Sequence, residues 1–61
     1  MSDLKEKEVG FISELLTNEE TLRAKCDIFA RNCHDEELCE LISSISAKCL
    51  AREQALLGCL K

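Results

Sequence analysis

Five cysteines and one histidine are the residues of this chain whose types invite chemistry: Cys26, Cys33, His34, Cys39, Cys49 and Cys59. Thiolates are soft ligands that suit Cu(I) and zinc, and imidazole suits zinc as well. A zinc site would draw on Cys33, His34 and Cys39, with Cys26 one turn below. Structural zinc favours cysteine pairs separated by two to four residues, whereas six residues part Cys26 from Cys33 and five part Cys33 from Cys39. A Cu(I) site would draw on Cys26, Cys33, Cys49 and Cys59, but no two of the cysteines are four apart, the step that lets two thiols on one helix reach a single ion. Disulfides are a third use. Cys39, Cys49 and Cys59 recur with nine residues between neighbours, but all three fall on one expected helix, so Cys33 with Cys39, across the turn, is the best placed intrachain pair. The odd count and the absence of an export signal favour reduced thiols packing as small apolar side chains. Nucleophilic catalysis would need a cysteine and a histidine in hydrogen-bond reach, with an orienting group and a pocket. Cys33 and His34 are sequence neighbours whose side chains diverge. The expectation is no catalytic residue, no cofactor and no metal, with Cys26, Cys33, His34, Cys39 and Cys49 as the alternative ligand set.

The elements that position these residues are helical. The chain has 61 residues, 46% of them hydrophobic, with no proline and only Gly10 and Gly58 as glycines. A β fold of this size needs several tight turns and the residues that make them. The class is therefore all-α, in a single domain. Asp35 reads as an N-cap, and Glu36 and Glu37 then sit in the first turn, where carboxylates favour the helix dipole. Helix one is expected over about 3–32, capped by Ser2, the turn over about 33–35, and helix two over about 35–60. Thr17-Asn-Glu-Glu20 also reads as a capping box that would split helix one. The apolar stripe runs through Thr17 in phase, which favours one continuous helix.

Pairing the two helices antiparallel gives a consistent register when facing residue numbers sum to 71. Phe29 then faces Ile42, Cys26 faces Ile45, Leu22 faces Cys49, Leu15 faces Leu56 and Ile12 faces Cys59. Glu19 faces Arg52, the one charged layer and one of opposite signs. A flanking row at the same sum pairs Ala30 with Leu41, Leu16 with Ala55 and Phe11 with Leu60. Ala47, Leu50 and Leu57 are left over on a further face of helix two. A lone hairpin would expose them, so the expectation is a homodimer closing into a four-helix bundle. A second protein is the other candidate partner.

Eight basic residues against twelve acidic ones, a net charge of −4, provide no phosphate-binding cluster. No nucleic acid partner is expected. The charged N-terminus is no signal peptide and no run is long enough to span a bilayer, so a cytoplasmic protein without a membrane partner is expected.

The stretch Phe29-Ala-Arg-Asn-Cys-His-Asp-Glu-Glu-Leu-Cys-Glu-Leu41 resembles short helical hairpins of spore-forming Gram-positive bacteria. In one small uncharacterised domain family, a Phe-Ala pair, here Phe29-Ala30, precedes a turn ending in Asp-Glu-Glu, here Asp35-Glu36-Glu37. More broadly, Leu15-Leu-Thr-Asn-Glu-Glu-Thr-Leu22 is similar to a stretch of the spore-coat F family, which is ferritin-like. The resemblance implies a ferritin-like hairpin whose purpose is assembly, in a sporulation setting. Di-iron chemistry does not come with it, because such sites need Glu-x-x-His pairs and the single histidine, His34, belongs to none. The function expected is a non-enzymatic, self-associating structural or protein-interaction module. A soft-metal or redox-responsive bundle is the alternative.

Overall fold

The computed structural model describes residues 5–61. Two helices make up nearly all of it, α1 over Glu6–Arg31 and α2 over Glu36–Cys59, and the described residues contain no strand. Lys5, extended at φ −75° and ψ 158°, precedes α1. The Glu8 carboxylate reaches back to accept the Lys5 backbone N–H at 3.1 Å, which satisfies a donor the first turn would otherwise leave free. Ser2, expected as the cap, lies outside the described residues, and the described helix begins at Glu6. The alternative cap at Thr17 is not formed. Its hydroxyl instead donates to the Ser13 carbonyl at 3.1 Å, a bond back along the same helix. α1 is continuous.

The chain reverses over residues 32–35. The backbone N–H of Asn32 donates to the Phe29 carbonyl, and that of Cys33 to Ala30, closing the last turn of α1. Asp35 caps α2 as its position promised, its Oδ1 accepting the Leu38 N–H at 3.0 Å. No described residue has a positive φ, so the reversal needs no left-handed residue.

Three polar contacts tie the helices together and show their direction. Glu19 pairs with Arg52, Arg23 with Glu53, and Asp27 with Ser46; from residues 19 and 23 to residue 27 of α1 the partner on α2 falls back from 52 and 53 to 46. The hairpin is antiparallel and narrow, about 46 Å by 14 Å by 11 Å. Few side chains are enclosed: Leu16, Cys26 and Cys49 among apolar residues, and Glu53 among charged ones. Among the described residues Cys49 alone is fully buried, at 0% exposure.

This seam corrects the expected layers. Its α1 side follows Ile12, Leu16, Glu19, Arg23, Cys26 and Ala30, all buried or half-buried. Leu22 and Phe29, placed opposite Cys49 and Ile42, are instead exposed, as are Phe11 and Leu41 of the flanking row. Steps of three and four both keep helical phase, and Arg23, rather than Leu22, takes the inward position. Ala47, Leu50 and Leu57 are exposed, as their leftover positions implied. No helix among the described residues is long and apolar enough to cross a membrane.

Two substitutions test the helices. Asp35→Ala should lower unfolding free energy by about 1 kcal/mol through loss of the cap. A methyl group at Gly10 would meet nothing within 4 Å, so Gly10→Ala should raise it by about 0.5–1 kcal/mol. Urea titration followed by circular dichroism reads both, and opposite signs are required.

Candidate functional site in the seam and turn

The structure divides the cysteines into two groups with different chemistry. Cys33, just past α1, and Cys39, in the first turn of α2, form a disulfide with a Cα–Cα separation of 5.8 Å. The expectation of five reduced thiols is therefore corrected for this pair. Close approach of the two chain segments at the reversal brings the sulfurs together, with the Cα atoms at a distance usual for a disulfide. By the loop-entropy relation, closing so short a loop contributes about 2 kcal/mol. His34 lies in the same turn and is exposed.

Cys26 and Cys49 are free thiols enclosed in the seam, and Cys59 is a half-buried thiol near the end of α2. Cys49 sits beside the Glu19–Arg52 pair, with Arg52 Nη2 3.5 Å from its Sγ. Burial pushes the Cys49 thiol up from its ordinary value, and the neighbouring Glu19 carboxylate adds to the effect. The thiol form is thus favoured, and nucleophilicity is suppressed. The alternative ligand set is split: Cys33 and Cys39 are bonded to each other, Cys26 and Cys49 lie inside the seam, and His34 faces solvent. Among the described residues no three His, Cys, Asp or Glu side chains gather where they could hold a metal ion.

Two forked ion pairs span the seam. Glu19 and Arg52 pair as the register required: Arg52 Nε donates to one carboxylate oxygen and Nη2 to the other at 3.0 Å. The Arg52 hydrogen bond holds the Glu19 carboxyl below the usual range, and the same bond raises Arg52. Arg23 and Glu53 form a second fork, at 2.6 Å and 3.0 Å, and Glu53 is only 6% exposed. This pair was not anticipated. Its signal was present in the sequence, since Arg23 lies four residues after Glu19, and Glu53 follows Arg52 directly. The Glu53 fork raises the Arg23 pKa, first through the hydrogen bond and then through charge. Asp27 accepts the Ser46 hydroxyl at 2.7 Å.

The two long edges of the hairpin differ. Polar bonds of Arg23–Glu53 and Asp27–Ser46 line one. The other carries Phe11, Leu15, Leu22 and Phe29 at four- and seven-residue steps along α1. Leu41, Ile45, Arg52 and Leu56 share a line along α2 by the same steps. An open groove of about 340 Å³, lined by Leu15, Glu19, Arg52, Ala55 and Leu56, joins the two lines along a single edge. Comparison with protein-family models, curated proteins and solved structures returns no match.

The depressed Glu19 pKa has a definite consequence in acid. Its contribution to stability is complete above the ordinary glutamate value of 4.5 and is lost as pH falls from there through the lower folded value. Melting temperature should fall on acidification through this window, and Glu19→Gln should flatten that dependence. Arg23→Leu should destabilise more than Arg52→Leu at neutral pH, because it strands the more deeply buried carboxylate.

Proposed function

We propose that this chain is a non-enzymatic, self-associating module, a homodimer of hairpins closed into a ferritin-like four-helix bundle, serving a structural or protein-interaction role. The observation that carries the proposal is the apolar edge. Phe11 is 59% exposed, Phe29 48% and Leu41 57%, on the edge that holds the groove. The charge within that edge, Glu19 with Arg52, is already neutralised inside the chain. A second copy therefore meets no repulsion there, despite the net charge of −4. The two phenylalanines expose together about 200 Å² per copy, taking roughly 200 Å² for each side chain. At about 25 cal/mol per Å², covering them in both copies contributes about 10 kcal/mol. That lies within the roughly 4–15 kcal/mol that association costs, and the adjoining leucines add to it.

The cytoplasm is the setting assigned to the module, and the likeness of its turn to hairpins of spore formers suggests sporulation as the process. A second use, as a redox-responsive bundle, is favoured by the Cys33–Cys39 disulfide. A soft-metal role ranks lower, because that bond occupies two of the candidate ligands.

Analytical ultracentrifugation over a concentration series tests the assembly. The 6.9 kDa chain should sediment with twice its mass, and Phe29→Glu with Leu41→Glu should shift it to monomer. Glu20→Lys, an exposed residue on the edge of Arg23 and Asp27, should leave the dimer intact. A wild-type monomer at every concentration, or a variant that still dimerises, would overturn the proposal.

A further inference from the structure

We infer that the Cys33–Cys39 disulfide is a reversible thiol–disulfide site whose state decides whether α1 packs on α2 of its own chain or on α2 of a second copy. The inference rests on the proposed self-association and adds its control. The bond lies directly across the chain reversal, joining the residue beyond α1 to the first turn of α2. Both half-cystines are partly exposed, within reach of a reductant.

Nothing else described at the turn obliges the chain to reverse. Residues 32–35 include no glycine or proline, and no described residue has a positive φ. The capping bonds there stay within one helix each: Asn32 to Phe29 and Cys33 to Ala30 in α1, Leu38 to Asp35 in α2. A straightened course is incompatible with the bond. Six residues of helix rise about 9 Å, and an extended linker is longer still, whereas disulfides require Cα atoms about 4.4–6.8 Å apart. Oxidised, the chain is held as a hairpin. Reduced, it is free to open at the turn.

The contacts that hold α1 to α2 do not depend on the turn. Glu19–Arg52, Arg23–Glu53 and Asp27–Ser46 are side-chain pairs that form equally well between two chains lying antiparallel. Exchange of an identical element between copies is a low-cost route to a dimer when a short hinge opens. The reductant class is a dithiol. One of its sulfurs, as thiolate, attacks a protein sulfur and breaks the Cys33–Cys39 bond, and the released cysteine sulfur takes a proton. The second reductant sulfur then displaces the first protein sulfur, so the protein gains two thiols and two electrons while the reductant becomes a disulfide.

Charge-reversed partners test the exchange on the full chain. Arg23→Glu places like charges across the seam of its own hairpin, on the edge away from the apolar residues, and so does Glu53→Arg. A mixed, exchanged dimer of the two restores both ion pairs, which neither chain can do alone. Native mass spectrometry of the mixture in dithiothreitol should show the mixed dimer in excess of the statistical share by about tenfold. Without reductant there should be no excess. A second measurement needs no charge variant: mixed labelled and unlabelled wild-type chains, reduced, should give interchain nuclear Overhauser effects between Arg23 and Glu53. Oxidised chains should not. If reduced wild type is dimeric but those effects and the mixed-dimer excess are missing, exchange is overturned and the hairpin dimer stands. A wild-type monomer in both redox states overturns the assembly and the exchange together.

Discussion

The buried carboxylate of Glu53 is the constraint around which the hairpin is arranged. A charge withdrawn from water is tolerated only when paired and hydrogen-bonded, and the Arg23 fork meets both needs with two bonds. That pairing requires the helices to meet along a particular stripe, and the stripe determines which apolar residues remain outside. Glu19–Arg52, beside it in the opposite sense, reinforces the same alignment. A slip by one helical turn would break both forks and leave Glu53 stranded. With only three apolar side chains well enclosed among the described residues, specificity of alignment comes from charge more than from packing.

Much of this architecture was legible in the residues. The lack of proline, the Asp35 cap followed by two glutamates, and the two apolar stripes lead to a helical hairpin, and opposed charges at 19 and 52 identify the register. The limit was angular. A stripe of threes and fours leaves two adjacent columns, 15-22-29 and 16-23-30, both in phase, and hydrophobicity chose the first for the interior. The second holds Leu16, Arg23 and Ala30, and it is the one that packs. The arginine in that column is matched by Glu53, the residue after Arg52. Thr17 was ambiguous for a related reason, since its hydroxyl can cap a new helix or bond back along an existing one.

The cysteines follow the same division between seam and turn. At 26 and 49 the side chain is small enough to let the helices approach closely beside the arginine forks, and burial keeps the Cys49 thiol protonated. At 33 and 39 the sulfurs are bonded, a state that composition could not decide because it depends on three-dimensional proximity across the reversal. The odd count that pointed to reduced thiols is accounted for by three free cysteines and one bridge.

The slenderness of the hairpin has a hydrodynamic consequence. A body more than three times longer than it is wide experiences more friction than a sphere of equal mass. It therefore diffuses and elutes as though it were heavier. A single copy would leave a sizing column ahead of compact proteins of its own mass, whereas side-by-side association thickens the rod and lowers its axial ratio. Frictional ratio and mass would then change in opposite senses on assembly, a signature in which shape and stoichiometry are separable.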